Sequence, residues 1–345
     1  MSLGFATAFN EITLVLFTTL APSGAVAYAL MSLPIVKGGL ADDAHRRIDK
    51  ALAIPLVVAL VGLVASATHL GNPANALYVF MGAGRSPLSN EVLCAVFFLA
   101  FSGVYWLYSF ALKPNRTLQR VLAAGACVGA VVCVTAIAFA YSAHTIVSWN
   151  TVYAPLSLWT NALLGGPLLA IVGLRAARWK SRGNRYGRAM LLLASAALVA
   201  CAIVYALQGL ALPGMENAFG TAADRVPYYA GMVAVFAVLV AVGIGIDALS
   251  LARGRVASAR GEAAASAGGA RAVSAPEAAD EDGGRAASAS AHAGGGEGAV
   301  GALEGGDEMT ISVPRASAAA AIAFAGIFAM RFSFYMMHMT AGISL

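Results

Sequence analysis

Residues 68–91 read THLGNPANALYVFMGAGRSPLSNE and join two long apolar segments of the chain. This stretch places an imidazole, His69, at the end of one segment and a carboxylate, Glu91, at the start of the next. The apolar segments on both sides carry almost no ionisable side chains. We therefore expect these two residues to mark the place where chemistry occurs.

The composition is that of a membrane protein. Of the 345 residues, 59% are hydrophobic and only 11% are charged, and the mean hydropathy is +0.76. A soluble protein carries about 25% charged residues. Apolar runs of about 20 residues recur, which is the length that crosses ~30 Å of hydrocarbon. Because the runs are continuous and do not alternate, they exclude a β-barrel and predict an all-α integral membrane protein.

The apolar runs predict a bundle of eight transmembrane helices. Their expected ranges are 12–33, 50–70, 89–112, 118–141, 153–174, 189–212, 228–250 and 315–336. No Lys or Arg precedes the first run, so we expect it to be retained and not cleaved as a signal peptide.

The basic residues predict the orientation of the bundle. Nineteen of the 22 Lys and Arg residues lie in the segments after the first, third, fifth and seventh spans. The other three are Arg85, Arg225 and Arg331. By the positive-inside rule, the four basic segments are cytoplasmic and both termini lie outside. The net charge of +5 thus reflects topology, and no nucleic-acid partner is expected.

Residues 252–313 differ from the rest of the protein. They are rich in Ala, Gly and Ser and carry few large apolar side chains. Such a segment buries too little surface to offset its ordering entropy. We therefore predict three parts: helices 1–7 within 1–251, a disordered cytoplasmic linker over 252–313, and helix 8 with a short outer end over 314–345.

The cysteine and histidine patterns argue against a cofactor bound to this protein. The four cysteines lie in apolar segments and form no CxxC pair, so we expect no disulfide, zinc site or iron–sulfur cluster here. No two of the five histidines are placed to face each other across the membrane core, which argues against bis-histidine haem.

Polar groups collect at one level of the predicted bundle. From the rise of 1.5 Å per residue, His69 lies about 27 Å up the second helix and Arg331 about 22–24 Å up the eighth. Gln208 lies near the outer end of the sixth helix. Charges at such depth are costly and usually mark a function. The candidate site residues are His69, Glu91, Arg331, Gln208, Glu11 and Asn90.

Structural roles also explain some of these residues. His69 can complement the negative C-terminal dipole of its helix, and Glu91 can complement the positive N-terminus of the next. Arg331 needs a partner within the membrane, and we expect Glu91 or Glu11 to form an ion pair with it. That pair could be purely structural.

A hydroquinone head group suits this set of side chains. A neutral imidazole accepts a hydrogen bond from a hydroxyl, and a nearby carboxylate takes up or relays the proton. A lipid-soluble quinol reaches this depth by lateral diffusion. Its oxidation releases two protons to the outer face and two electrons, for which the sequence provides no acceptor.

Four motifs resemble the membrane-anchor subunit family of bacterial dimethyl sulfoxide reductases. They are THLGNP with LSNE (residues 68–73 and 88–91), WTNALLGGPLL (159–169), ALQG (206–209) and RFSFYMMHMTAG (331–342). The resemblance implies a menaquinol-oxidising anchor in the bacterial cytoplasmic membrane. It also implies an iron–sulfur subunit and a molybdopterin catalytic subunit on the outer face, and a role in quinol binding for His69 and Glu91. The segment 252–313 departs from the family, whose loop there is short.

Two alternatives remain open at this point. One is the anchor of a related polysulfide- or nitrite-type reductase, with the same architecture. The other is a secondary transporter that uses Arg331 and Glu91 as an ion pair, although the sequence has no convincing internal repeat.

Overall fold

The computed structural model describes residues 3–69, 73–179, 181, 184–273 and 313–340, with side chains placed outside 73–77 and 254–273. These residues fall into two compact units. One comprises the residues up to Ala248 together with those from Val313, and the other begins at Leu249.

The described residues are helical apart from loops and one short hairpin, β1 (Glu216–Asn217) with β2 (Gly220–Thr221). The helices are α1 (Leu3–Asn10), α2 (Ile12–Lys37), α3 (Asp42–Ala51), α4 (Ala53–Thr68), α5 (Pro87–Tyr108), α6 (Arg116–Ala140), α7 (Tyr153–Ala176), α8 (Arg185–Ala211), α9 (Ala222–Arg225), α10 (Tyr229–Val273) and α11 (Val313–Met336). The described residues also form 3-10 helices at Pro73–Gly82 and Leu212–Gly214.

Among the described residues, eight helical spans are long and apolar enough to cross a membrane, as the sequence predicted. They are α2, α3 with α4, and α5, α6, α7, α8, α10 and α11, with α8 counted through Gly214 and α10 through Arg253. The protein is thus a multi-pass membrane protein. The predicted orientation of its termini stays a prediction.

Two predicted boundaries differ most from the structure. The second span begins at Asp42, because α3 is amphipathic and packs His45, Ile48 and Asp49 inward. The predicted disordered linker starts inside α10, which continues to Val273. Ala and Arg have high helix propensity, which favours continuation of the helix there. Residues 274–312 lie outside the described residues.

Close packing of α2 against α4 holds the first two spans together. A Cβ atom added at Gly24 would lie 2.6 Å from the backbone nitrogen of Ala59, and one added at Gly62 would lie 2.6 Å from that of Ala21. Only glycine permits this approach, and small residues at such crossings are typical of membrane helices. The two contacts fix the register of α4 against α2.

A polar cluster holds α3, α5 and α6 together at the end of the bundle opposite His69. Asp49 is buried, and it accepts hydrogen bonds from the Tyr105 hydroxyl and, at 3.5 Å, from Gln119 Nε2. His45 Nε2 lies 3.6 Å from the same carboxylate. These contacts satisfy a carboxyl group that would otherwise be costly to bury.

We predict that Gly62→Ala destabilises the protein by about 1–3 kcal/mol, because the added methyl group meets backbone that cannot move aside. Gly103→Ala is the matched control, since nothing lies within 4 Å of its added Cβ. Alanine there should be neutral or stabilising by up to about 1 kcal/mol. Thermal unfolding of the detergent-solubilised protein measures both, and equal midpoints for the two variants would contradict the close crossing.

Candidate functional site

A cavity of about 440 Å³ lies among α2, α4, α5 and the connection between α6 and α7. This volume lies within the usual range for small-molecule sites. Most of the lining is aliphatic. The side chains with polar atoms that line it are Ser66, His69, Glu91, Tyr141 and Trp149. The structure therefore brings His69 and Glu91, which end and begin neighbouring spans, to the same cavity.

His69 stands at the C-terminal end of α4 and keeps helical geometry, with its N–H donating to the Ser66 carbonyl at 3.1 Å. Its side chain is 43% exposed, and Nε2 lies 3.4 Å from Oε2 of Glu11. Glu11 directly precedes α2, and its side chain is 28% exposed. Two of the predicted residues thus form a pair at the edge of the cavity.

The α2–α4 crossing explains why His69 meets Glu11. His69 lies seven residues beyond Gly62, which is two turns along the same face of α4. On the antiparallel α2, Leu14 lies seven residues before Ala21, the residue that Gly62 contacts, and Glu11 precedes Leu14 by one further turn. The contact at Gly62 therefore directs both side chains to the same region.

Glu91 lies near the start of α5 and is only 4% exposed. It lines the cavity deeper than the half-exposed His69. Its neighbour Asn90 does not line the cavity. Asn90 Oδ1 accepts a hydrogen bond from the Gly84 N–H at 2.6 Å and so fastens the turn before α5. Asn90 thus supports the helix that carries Glu91.

The prediction that Arg331 forms an ion pair with Glu91 or Glu11 is wrong. Arg331 is 1% exposed and forms no ion pair with any described carboxylate. Its Nε donates to Thr18 Oγ1 at 3.1 Å, and its guanidinium carbon lies 4.2 Å from the centre of the Phe334 ring. Glu11 instead contacts His69, and aromatic faces with one hydroxyl take the place of a counter-ion.

Gln208 lies apart from this cavity. It is buried, accepts a hydrogen bond from the Tyr229 hydroxyl at 3.1 Å, and places Nε2 3.9 Å from Met337 Sδ. Tyr205 and Tyr229 line a second cavity of about 420 Å³ on that side. Of the predicted site residues, the structure therefore brings together His69, Glu11 and Glu91 and keeps Gln208 apart from them.

An aromatic wall, formed by Tyr141 and Trp149, was missed by the sequence reasoning. Both residues line the cavity. Trp149 stacks on Phe334 with ring centres 4.8 Å apart, and its Nε1–H donates to the Phe334 carbonyl at 3.1 Å. The only signal in the sequence was a tryptophan in the connection after the fourth predicted span, near the expected interface.

The segment after α11 supports this wall from behind. The Val147 N–H donates to the Met339 carbonyl at 2.9 Å, and Ile146 pairs with Thr340. The His338 ring lies 5.0 Å from Trp149, and burial lowers the pKa of His338 although Glu11 acts in the opposite direction. A neutral His338 suits this apolar environment.

Metal-ligating side chains do not gather among the described residues. No group of three or more His, Cys, Asp or Glu residues there could hold a metal ion. The cavity thus offers hydrogen-bonding and proton-accepting groups against an apolar lining.

The comparisons with known proteins agree with one another. The family described as "DMSO reductase anchor subunit (DmsC)" matches residues 5–265. The YnfH subunit of an anaerobic dimethyl sulfoxide reductase from Escherichia coli (strain K12) is 32% identical over 225 residues, which are 65% of this protein and 77% of that subunit.

A second Escherichia coli (strain K12) protein, the C subunit of anaerobic dimethyl sulfoxide reductase, is 28% identical over 66% of this protein and 78% of its own length. The C subunit of the Haemophilus influenzae (strain ATCC 51907 / DSM 11121 / KW20 / Rd) enzyme is 26% identical over 66% of this protein and 80% of its own length. No solved structure matches significantly. The family match ends before α11, so the resemblance of residues 331–342 stays a prediction.

We predict that Trp149→Ala destabilises the protein by about 3–5 kcal/mol, because it removes a buried ring together with its hydrogen bond. Trp149→Phe keeps a ring for stacking and should cost only about 1 kcal/mol. Trp106→Ala is the control, since Trp106 is half-buried and its indole nitrogen has no partner among the described residues. Thermal aggregation in detergent measures all three. A larger loss for Trp106→Ala than for Trp149→Ala would contradict the structural role of the wall.

Proposed function

Because the protein belongs to the DMSO reductase anchor subunit (DmsC) family, we propose that it anchors a molybdopterin oxidoreductase complex and oxidises menaquinol for it. The electrons pass to a docked iron–sulfur subunit and from there to a molybdopterin catalytic subunit in anaerobic respiration. The observation that carries this proposal is the apolar cavity with the His69–Glu11 pair at its edge and Glu91 inside it.

The cavity suits a quinol head group in shape and polarity. A naphthoquinol is a flat, apolar double ring with two hydroxyl groups on opposite sides. The aliphatic lining and the aromatic wall can bury the rings, and His69 and Glu91 offer separate acceptors for the two hydroxyls. Few convergent polar groups in an apolar pocket are typical of small-molecule sites.

The substrate can enter sideways from the lipid. Leu88 and Val96 line the cavity and are 50% and 45% exposed on the surface of a membrane-spanning helix. In a membrane, such apolar surface faces lipid. A quinol with an isoprenoid tail can therefore place its ring in the cavity while its tail remains in the bilayer.

His69, Glu11 and Glu91 supply the proton acceptors. The imidazole takes the proton of one hydroxyl and passes it to Glu11, which is partly exposed. Glu91 takes the second proton. Quinol thus becomes quinone with release of two protons and two electrons, and the electrons leave to the iron–sulfur partner.

The positive-inside rule puts this end of the bundle on the outer side of the bacterial cytoplasmic membrane. The partner subunits then dock on the outer face, close to the cavity. This arrangement keeps the path of the electrons short and allows the protons to leave directly to the outer compartment.

The alternatives receive less support. The matched family is that of dimethyl sulfoxide reductase anchors, which favours this reaction over a polysulfide- or nitrite-type reductase. The transporter hypothesis relied on an ion pair between Arg331 and Glu91. The described residues do not contain this pair.

Quinol binding can be tested by titrating membranes that contain the complex with a fluorescent hydroxyquinoline N-oxide. We expect saturable, stoichiometric quenching by the wild type, and a loss of about 10-fold or more in affinity for His69→Ala, because a hydrogen bond to a charged or polar ligand is lost. Glu91→Gln keeps the size of the side chain and should reduce quinol oxidation by a similar factor.

His144→Ala is the matched control for this titration. His144 lies at the same end of the bundle, is exposed, and does not line the cavity. Its replacement should leave the quenching unchanged. Absence of saturable quenching in the wild type would disprove the quinol-binding proposal.

We also predict that turnover takes up few protons from the inner compartment. The part of α5 between Glu91 and Tyr105 carries Cys94 as its one ionisable side chain, so this helix offers no relay from the Asp49 cluster to the cavity. The protons that quinol oxidation releases and those that substrate reduction consumes then largely cancel in the outer compartment. An internal pH indicator in sealed vesicles measures this, and stoichiometric alkalinisation of the interior would contradict it.

A further inference from the structure

A buried guanidinium that has no counter-ion among the described residues lies beside the cavity. Arg331 is 1% exposed, and its Nη2 has no hydrogen-bond partner among the described residues. The same residues provide no carboxylate that pairs with it. Burying a charge in this way is costly, and proteins usually offset the cost with an ion of opposite sign.

Three routes of contact connect this charge to the cavity lining. Arg331 lies 4.2 Å from the Phe334 ring, which stacks on Trp149 of the aromatic wall. Its Nε donates to Thr18 Oγ1, and that hydroxyl donates at 2.9 Å to the carbonyl of Leu14, a lining residue.

The third route passes through two phenol rings. The guanidinium carbon lies 5.9 Å from the centre of the Tyr335 ring, and Tyr335 contacts Tyr141 of the aromatic wall at 5.9 Å. The charge thus lies one side chain behind each of the two residues of the aromatic wall. In an apolar, poorly screened environment, the potential of an unpaired cation extends over such distances.

We propose that Arg331 is a positioning residue that makes the cavity select the singly deprotonated, anionic form of a hydroxyaromatic ring. This inference rests on the quinol-oxidising function proposed above. The ionisable groups at the cavity are His69 and Glu11 at its edge and Glu91 and Tyr141 in its lining, and Tyr335 contacts Tyr141.

The anion is the form of the quinol that gives up electrons readily. The first proton leaves the quinol for His69 and Glu11, and the resulting monoanion is stabilised by the positive charge behind the wall. The monoanion then loses its second proton to Glu91 and two electrons to the iron–sulfur partner, so that quinol becomes quinone. Arg331 never touches the ring and acts through the potential that it sets up.

The guanidinium suits this role because it can be buried without a carboxylate. Its central carbon lies over the face of the Phe334 ring, and Thr18 accepts one of its hydrogen bonds. Arginine is weakly hydrated and always charged, so its charge persists at this depth. An adjacent carboxylate would neutralise the potential, and this is why the missing ion pair matters.

Two probes of closely similar shape test the proposal. One is an alkylated hydroxyquinoline N-oxide, titrated at a pH at which it is ionised, and the other is its O-methyl ether, which cannot ionise. In membranes with the complete complex, we expect the wild type to bind the ionised probe at least about 10-fold more tightly than the ether, the factor expected from a charge interaction of this size.

Three variants separate charge from packing. Arg331→Met removes the charge with little change in volume and should abolish the preference for the ionised probe while changing ether binding less than about 3-fold. Arg331→Lys keeps the charge and should keep most of the preference. Thr18→Asp leaves Arg331 in place, puts a carboxylate next to it, and should also abolish the preference.

Each outcome supports or overturns the inference. Equal binding of the two probes by the wild type overturns it, whether or not any variant folds. A parallel loss of both probes in Arg331→Met assigns the residue a structural role and also overturns it. If the wild type binds neither probe, the proposed quinol-oxidising function itself fails, and this result is distinct from the other two.

Discussion

The close approach of α2 to α4 is the constraint on which the cavity depends. At Gly24 and Gly62 the two backbones lie too near each other for any larger side chain. This contact fixes the register of two antiparallel helices, and helical periodicity carries that register outward to their ends. His69 at the end of α4 therefore meets Glu11 at the start of α2. A shift of one residue in the crossing would rotate the imidazole away from its carboxylate.

The sequence was sufficient for the number and type of the spans, because length and hydropathy alone decide whether a helix can cross a membrane. It also sufficed to relate His69 to Glu91. These residues end one span and begin the next, so a connection of some twenty residues keeps them at the same level and close together. Glu11 precedes α2, which packs on α4, and it therefore lies at the same end of the bundle as these two residues.

The sequence could not reveal which way the other side chains point. The rise per residue gives the depth of Arg331 and Gln208, but the direction in which each faces depends on how the helices are rotated and arranged. Gln208 was predicted to lie at the level of His69, and in the structure it faces Tyr229 and Met337. Arg331 was expected to need a carboxylate, whereas Phe334 and Thr18 together accommodate it. The aromatic wall was missed because Trp149 lies in a connection, where no periodicity guides prediction.

The wall of the cavity has a consequence for the biogenesis of the protein. Phe334, which accepts the hydrogen bond of Trp149 and stacks on its ring, follows it by 185 residues in the sequence. The ribosome therefore delivers α2, α4, α5 and Trp149 to the membrane long before α11. Until α11 inserts, the indole N–H lacks this acceptor and the wall has no backing. Completion of the cavity is thus a late event of synthesis, and a product halted between α10 and α11 would carry His69 and Glu91 in an unfinished pocket.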